Sequence, residues 1–401
     1  MNYLSGTGDS KQTPLQAPLP IIKVVGLGGG GCNAVNRMIE HGMRGVEFIA
    51  CNTDKQALIS SLADVNIQLG PKSTRGLGAG GIPTIGEKAA EESFQTLADA
   101  LDGSDMVFLT AGMGGGTGTG AISVAARVAK TIGAVVIAVV TTPFSFEMGR
   151  RQKNALVGLQ KLRQFTDTLI TVPNDRLLEV APHDLPLEMA FKLADDVLRQ
   201  GVSGISELLT ETGLMNVDFA HVRHVMSLGG GALMSIGTGE GENKAMKALK
   251  QALNHPLLDD IKIDTATGII ANFTGGDDLT FAEVAETLTY LQQQSGNRAE
   301  IIPGVISDDN LADRVQVILI VTGLGGVPIE QAIPGAEKFL ADYPVKNEAR
   351  ATMAHPQAHG VNVPHTGERE QESAYLTSLQ QQPFAVGDLD VPAFLRKRMR
   401  G

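Results

Sequence analysis

The chain has 401 residues, 43% hydrophobic and 19% charged, the composition of a soluble globular protein long enough for two cores. A net charge of −11 excludes a general nucleic-acid binder, which needs a basic face, and two cysteines exclude a disulfide framework and fit a reducing cytosol. No apolar run reaches the roughly 18 residues of a membrane span, and residues 1–19 lack the charged-then-apolar pattern of a signal peptide. That segment reads as a disordered tail. The expected location is cytoplasmic, with any membrane association supplied by a partner.

From residue 20 to 183 short apolar runs alternate with helix-like segments. "IIKVVGLG" reads as a strand, "NAVNRMIEHG" as a helix closed by Gly42, and "VEFIACNTD" as a strand before the helix-like "KQALISSL". "DMVFLTAG", "VVIAVVTTPF" and "TLITVPND" follow as strands. Strands alternating with helices predict an α/β fold with a parallel sheet, whose ligands sit at the carboxyl ends of the strands. Residues 184–213 predict a long bridging helix, with apolar positions 187, 191, 194, 198, 202, 205 and 208 near a 3.6-residue period. Residues 214–326 read as a second, α+β unit. "ALMSIGTGEG", "TGIIANFTGG" and "RVQVILIVTGLGG" are its strands, "ENKAMKALKQAL" and "FAEVAETLTYLQQQ" its helices. Residues 327–388 are rich in Gln, Pro, Ala, His and Glu and predict a flexible linker, its ends about 45 Å apart on average if coiled. Residues 389–401 regain apolar and basic character, as a tethered recognition peptide would.

Two glycine loops carry the chemistry. "GLGGGG", 26–31, satisfies G-x-G-x-x-G between a strand and a helix, and alone is compatible with a nicotinamide dinucleotide site. Asp54, somewhat beyond the usual 20-residue spacing of the ribose-binding acid, leaves that test equivocal. "AGMGGGTGTGAI", 111–122, is a second cradle with six glycines and no Walker lysine. Backbone amides of Gly114, Gly115, Gly116, Thr117 and Gly118 at a helix start suit phosphate, and Thr117 and Thr119 offer hydroxyls. Two dense cradles favour a triphosphate over a dinucleotide.

These motifs, with "GGGCNAV", "CNTD", "GLGAG", "PFSFE", "VPND", "GLMNVDFA" and the terminal "LDVPAFLRKR", resemble in order those of bacterial FtsZ within the tubulin and FtsZ superfamily. The resemblance covers roughly residues 20–326 and the C-terminal peptide. It implies a tubulin-like GTPase domain, a long bridging helix, a second α+β domain, a disordered linker and a partner-binding tail. It implies GTP/GDP as ligand, with Mg2+, and places Gly29, Gly30, Gly31, Cys32 and Asn33 in the first loop. Gly114–Gly118 would hold the phosphates. Thr53, Asp54, Gly78, Ala79, Gly80 and Gly81 would line the γ-phosphate side. Glu147 and Arg151 match ribose and nucleotide contacts, and Asn174 belongs to "VPND". Phe191 and Asp195, at i, i+4 on one helix face, would stack on the base and accept guanine's paired N–H groups, with Asp196 a lesser candidate.

The resemblance also implies head-to-tail self-polymerisation, with hydrolysis completed by a segment of the next subunit, here "NVDFAHV". Asn216 and Asp218 match its catalytic positions. His221 stands where the family carries a second acid. Loss of one water-positioning group costs about 10²–10⁴ in rate. Reduced hydrolysis, a harmless surface histidine and compensation by His224 are the open readings. Ile82 removes a polar group near the triphosphate. In the tail, Asp390, Pro392, Phe394, Leu395 and Arg396 would form a short helix in a partner's groove, a division-ring tether or regulator, ahead of direct lipid contact. The expected role is the bacterial division ring at mid-cell on the inner face of the membrane. A GTP-binding paralogue with slow turnover, a plasmid-segregation filament and a nicotinamide oxidoreductase are the alternatives.

Overall fold

The computed structural model describes residues 19–324, except 148, 183, 211–214, 216, 229–230 and 259–262. The proposed N-terminal tail (through residue 18), linker and C-terminal peptide, including Asp390, Pro392, Phe394, Leu395 and Arg396, lie outside the described residues, as does Asn216.

The first half runs β1 (Ile22–Leu27), α1 (Gly28–Glu40), β2 (Glu47–Asn52), α2 (Lys55–Ile59), β3 (Val65–Gln68), α3 (Pro83–Glu92), α4 (Phe94–Leu101), β4 (Met106–Gly112), α5 (Thr117–Thr131), β5 (Val135–Thr142), α6 (Arg150–Leu162), β6 (Thr168–Pro173) and α7 (Asn174–Leu178). Then come α8 (Leu187–Thr210), α9 (Phe219–Ser227), β7 (Gly231–Glu240), α10 (Lys244–Leu253), β8 (Gly268–Gly275), α11 (Phe281–Gln294), β9 (Glu300–Ser307) and β10 (Arg314–Thr322).

The strands follow the order β3-β2-β1-β4-β5-β6-β7-β10-β8-β9 in one sheet. Strands β1 to β6 are parallel throughout, as the alternating pattern predicts. Helices cover both faces, so β4 and β5 are buried along nearly their whole length and read as continuous apolar runs. A short parallel pairing of Leu169 and Ile170 with Gly231 and Ala232 carries the sheet into its second half. There β10 runs antiparallel to both β7 and β8.

The bridging helix α8 lies inside its predicted span. Ala194, Leu198, Val202, Ile205 and Leu208 are buried as their period requires, whereas Leu187 and Phe191 at its start are exposed. Its 24 residues span about 36 Å. The start meets Phe144, just beyond the carboxyl end of β5, where the Phe191 ring sits edge-on at 5.5 Å. Near its end, Ser206 reaches Met43, in the turn before β2. The helix therefore runs from the carboxyl edge of the parallel sheet to its amino edge, and α9 continues from there.

Candidate functional site

Three helices begin around one cleft at the carboxyl ends of β1 and β4. Helices α1, α3 and α5 start without a side-chain cap and without an acidic residue in the first turn. The first amides of α1 and α5 are left without intrahelical partners, α3 opens on Pro83, which has no N–H, and the three dipoles favour negative charge. The starts are close together. A side chain at Gly28 would come within 2.7 Å of Gly118 N, and one at Gly116 within 2.8 Å of Ile82 N.

The glycines of the two cradles divide by what surrounds them. Gly31 and Gly118 are packing glycines, since a Cβ would lie 2.3 Å from Thr110 O in the first case and 2.9 Å from Leu27 O in the second. Gly29 and Gly115 face open space, with nothing within 4 Å of an added Cβ. So do Gly78, Gly80 and Gly81, whose φ values of +84°, +58° and +70° also require glycine. Open backbone along two cradles, at three helix starts and with no carboxylate in their first turns, fits a polyphosphate.

The remaining residues hold this cleft in shape or line its rim. Thr53 is fully buried, and its hydroxyl lies 2.6 Å from that of Thr117, joining the end of β2 to the start of α5. Gly78 N donates to Thr53 O, which fastens the loop at 78–82 to the same strand end. Asp54 caps α2, accepting from Gln56 N at 2.9 Å. Thr119 accepts the Gly114 N–H at 2.8 Å and is buried, so it shapes the loop instead of offering its oxygen to a ligand. Cys32 is also buried, its thiol directed at the carbonyl oxygens of Gly26 and Cys51 at 3.7 Å. Burial pushes that thiol up to about 12, so it stays protonated, and only the Cys32 backbone faces the loop. Asn33 is exposed, whereas Ala79 is buried beneath the loop. Glu147 accepts from Phe144 N at 2.9 Å and pairs with Arg151.

Phe191 is 40% exposed and free to stack on a planar ring. Asp195 lies one turn on, half-buried, with Arg37 Nε 3.4 Å from its carboxylate. Burial pushes the Asp195 carboxyl up to about 6 despite Arg37, which draws it down. Asp196 behaves differently. Burial opposes its charge too, but hydrogen bonds from Arg199 and Gln200 at 2.7 and 2.5 Å hold it below the usual carboxylate range. Its oxygens are occupied by Arg199 and Gln200, which leaves Asp195 as the carboxylate of this pair without those partners. At the carboxyl end of β6, Asn174 Oδ1 is buried without a hydrogen-bond partner. Sequence reasoning did not find Arg37, because nothing local in "NAVNRMIE" pairs it with a helix far along the chain.

The predicted catalytic segment lies elsewhere. Asp218 caps α9 by accepting from Ala220 N at 3.0 Å, and His221 is exposed in the first turn. The last turn of α9 receives the Thr168 hydroxyl at Met226 O, at the amino end of β6. Asp218 and His221 thus belong to the opposite edge of the sheet from the cradles. His224, proposed as compensation, stands 3.7 Å from Glu300. Among the described residues no group of three or more His, Cys, Asp or Glu side chains forms a metal cluster, and no helix is long and apolar enough to cross a membrane.

The model of the Tubulin/FtsZ family GTPase domain matches residues 21–182, and that of the FtsZ family C-terminal domain residues 230–325. A solved, empty FtsZ dimer from M. jannaschii is 48% identical, with a TM-score of 0.74, over 77% of this chain and 89% of that one. The chain belongs to the tubulin/FtsZ family. It carries the family's GTPase domain, and the FtsZ fold accounts for the parallel sheet, the long α8 and the second half. CetZ2 from Haloferax volcanii, solved as a GTPγS-bound protofilament, matches at 19% identity and a TM-score of 0.68, over 80% of this chain and 99% of that one, a likeness of fold alone.

Proposed function

We propose that this FtsZ-family chain binds GTP in the cleft, assembles head to tail with its own copies, and hydrolyses GTP at each junction. The observation that carries the reading is the separation of the two halves of the site. The cradles lie at the carboxyl edge of the parallel sheet, while Asp218 and His221 lie at its amino edge on α9. No single copy can bring them together, but stacked copies can. A relative at 48% identity, described as an FtsZ dimer, supports the assembly.

In this reading Gly29 to Asn33 and Gly114 to Gly118 hold the phosphates through backbone amides, with Thr53 and Asp54 shaping the γ-phosphate side and the loop Gly78 to Gly81 bordering it. Glu147 and Arg151 meet the ribose side. Phe191 stacks on the base, Asp195 accepts its N–H pair and Asn174 lies nearby. Asp218 and Asn216 of the next copy orient the attacking water, which is the main requirement of phosphoryl transfer. If Mg2+ accompanies the nucleotide, Asp218 of the next copy is the residue of this chain that would help hold it, and the ion would supply charge neutralisation at the phosphates. The cellular role is the division ring on the inner face of the membrane at mid-cell, with the C-terminal peptide engaging a tether or regulator.

A slower paralogue is favoured by one observation, the exposed imidazole of His221 one turn from Asp218 where an acid would serve. Turnover per chain, followed against protein concentration, tests the main reading. It should be negligible in dilute protein and rise steeply with assembly. A rate per chain independent of concentration would sink the shared site. His221→Asp should raise turnover by about 10²-fold if the acid is missing, and an unchanged rate removes the slow-paralogue reading.

A further inference from the structure

The two phosphate loops are joined by a side chain outside both of them. Asn154, on α6, donates its amide to Gly81 O at 3.3 Å and to Gly114 O at 3.1 Å. Each amide hydrogen has its own acceptor. The reverse orientation would set Oδ1 against two carbonyl oxygens, so the contacts fix which way the amide points. Both acceptors are left-handed glycines, with φ of +70° at Gly81 and +103° at Gly114, so the carbonyl directions that Asn154 reads belong to the shape of the loops.

The loops differ in how firmly they are otherwise held. Gly114 packs against α6 and Pro143, where an added Cβ would come within 2.9 Å of Arg151 O and 2.7 Å of Pro143 Cγ. Gly81 has nothing within 4 Å on that side. The loop 78–82 is tied through Gly78 N to Thr53 O at one end and Ile82 N to its own Ala79 O at the other. The loop also packs on Gly116, where an added Cβ would come within 2.9 Å of Ala79 Cβ and 3.1 Å of Gly81 N, and Asn154 adds a side-chain tie from Gly81 to the loop at Gly114.

We propose that Asn154 is a positioning residue that sets the spacing of the two glycine loops and thereby favours nucleoside triphosphate over diphosphate. The proposal rests on the reading of the cleft as a GTP site with its third phosphate beside the loop 78–82. Asn154 touches no part of the nucleotide in this account. In that reading a diphosphate engages only the cradles at 29–33 and 114–118. A triphosphate also needs the loop 78–82 in place, and a released loop must be ordered anew at each binding event.

The test measures GTP and GDP affinities of the full chain, native and with Asn154→Asp or Asn154→Leu. Asp keeps the size and sets a carboxylate against both carbonyls, and Leu keeps the volume without donors. Both should weaken GTP binding by about tenfold, the loss of one or two modest hydrogen bonds, and leave GDP within about twofold. An unchanged GTP-to-GDP preference in either variant that binds and melts like the native chain overturns the positioning role alone. A native chain that binds neither nucleotide overturns both the role and the reading beneath it.

Discussion

Two segments of the molecule share a plan and differ in chemistry. In the first half β4 leads through "MGGG" into α5, and in the second β8 leads through "GDDL" into α11, with helices of 15 and 14 residues. The second loop closes on itself. Thr280 and Glu283 form a capping box at the start of α11, Asp278 pairs with buried Lys244 at 3.1 Å, and Asp277 accepts from Ser307. The first loop has no acid, no side-chain cap and an open glycine at Gly115. The same strand-to-helix turn is finished by side chains in the second half and left open in the first, where phosphate is proposed to lie.

The largest expected effect comes from making the first loop resemble the second. Gly115→Asp places a carboxylate where phosphate would lie and should weaken GTP binding by about 10²-fold or more, because like charges pressed together cost several kcal/mol. Gly115 has open space around it, so the variant should melt close to the native temperature. Isothermal titration with GTP reads the first effect and calorimetric melting the second.

A smaller effect is a pH dependence in the base reader. In the proposed reading Asp195 would accept guanine's N–H pair only as a carboxylate, the form that dominates above about 6, so GTP affinity should fall as the pH drops through that value. Arg37→Met removes the group that favours the charged form, which should move the midpoint upward. Titrations at several pH values check this, and a variant with the native midpoint would exclude Arg37 as the group that tunes Asp195. The smallest effect lies in the second loop. Thr280→Ala removes half of the α11 capping box and should cost about 1 kcal/mol of stability in urea unfolding, with GTP affinity unchanged.

The cradles were legible in the sequence because their chemistry is local. A strand, a dense glycine run and a helix start are contiguous, and the spacing of Phe191 and Asp195 states their shared face. What depended on tertiary placement was not legible. Arg37 and Asn154 are ordinary helix residues until α8 and the glycine loops pack beside them. Cys32 sits inside a binding motif, yet its side chain turns into the core. Strand β9 was missed because Pro303 interrupts its run, which the sheet tolerates since β9 lies at its edge. The second unit is legible as the C-terminal domain, but that its sheet continues the first through the β6–β7 pairing depends on tertiary placement.

In the proposed assembly one copy supplies the open cradle and the next supplies Asp218. Mixing two inactive variants tests it most directly. Gly115→Asp disables the cradle, and Asp218→Asn removes the charge while keeping a residue suited to cap α9. Each alone should hydrolyse GTP negligibly. The mixture should recover a substantial fraction of native turnover, because an intact cradle then meets an intact Asp218 across some junctions. A mixture no more active than its two components, under conditions where both variants co-assemble, would contradict the account.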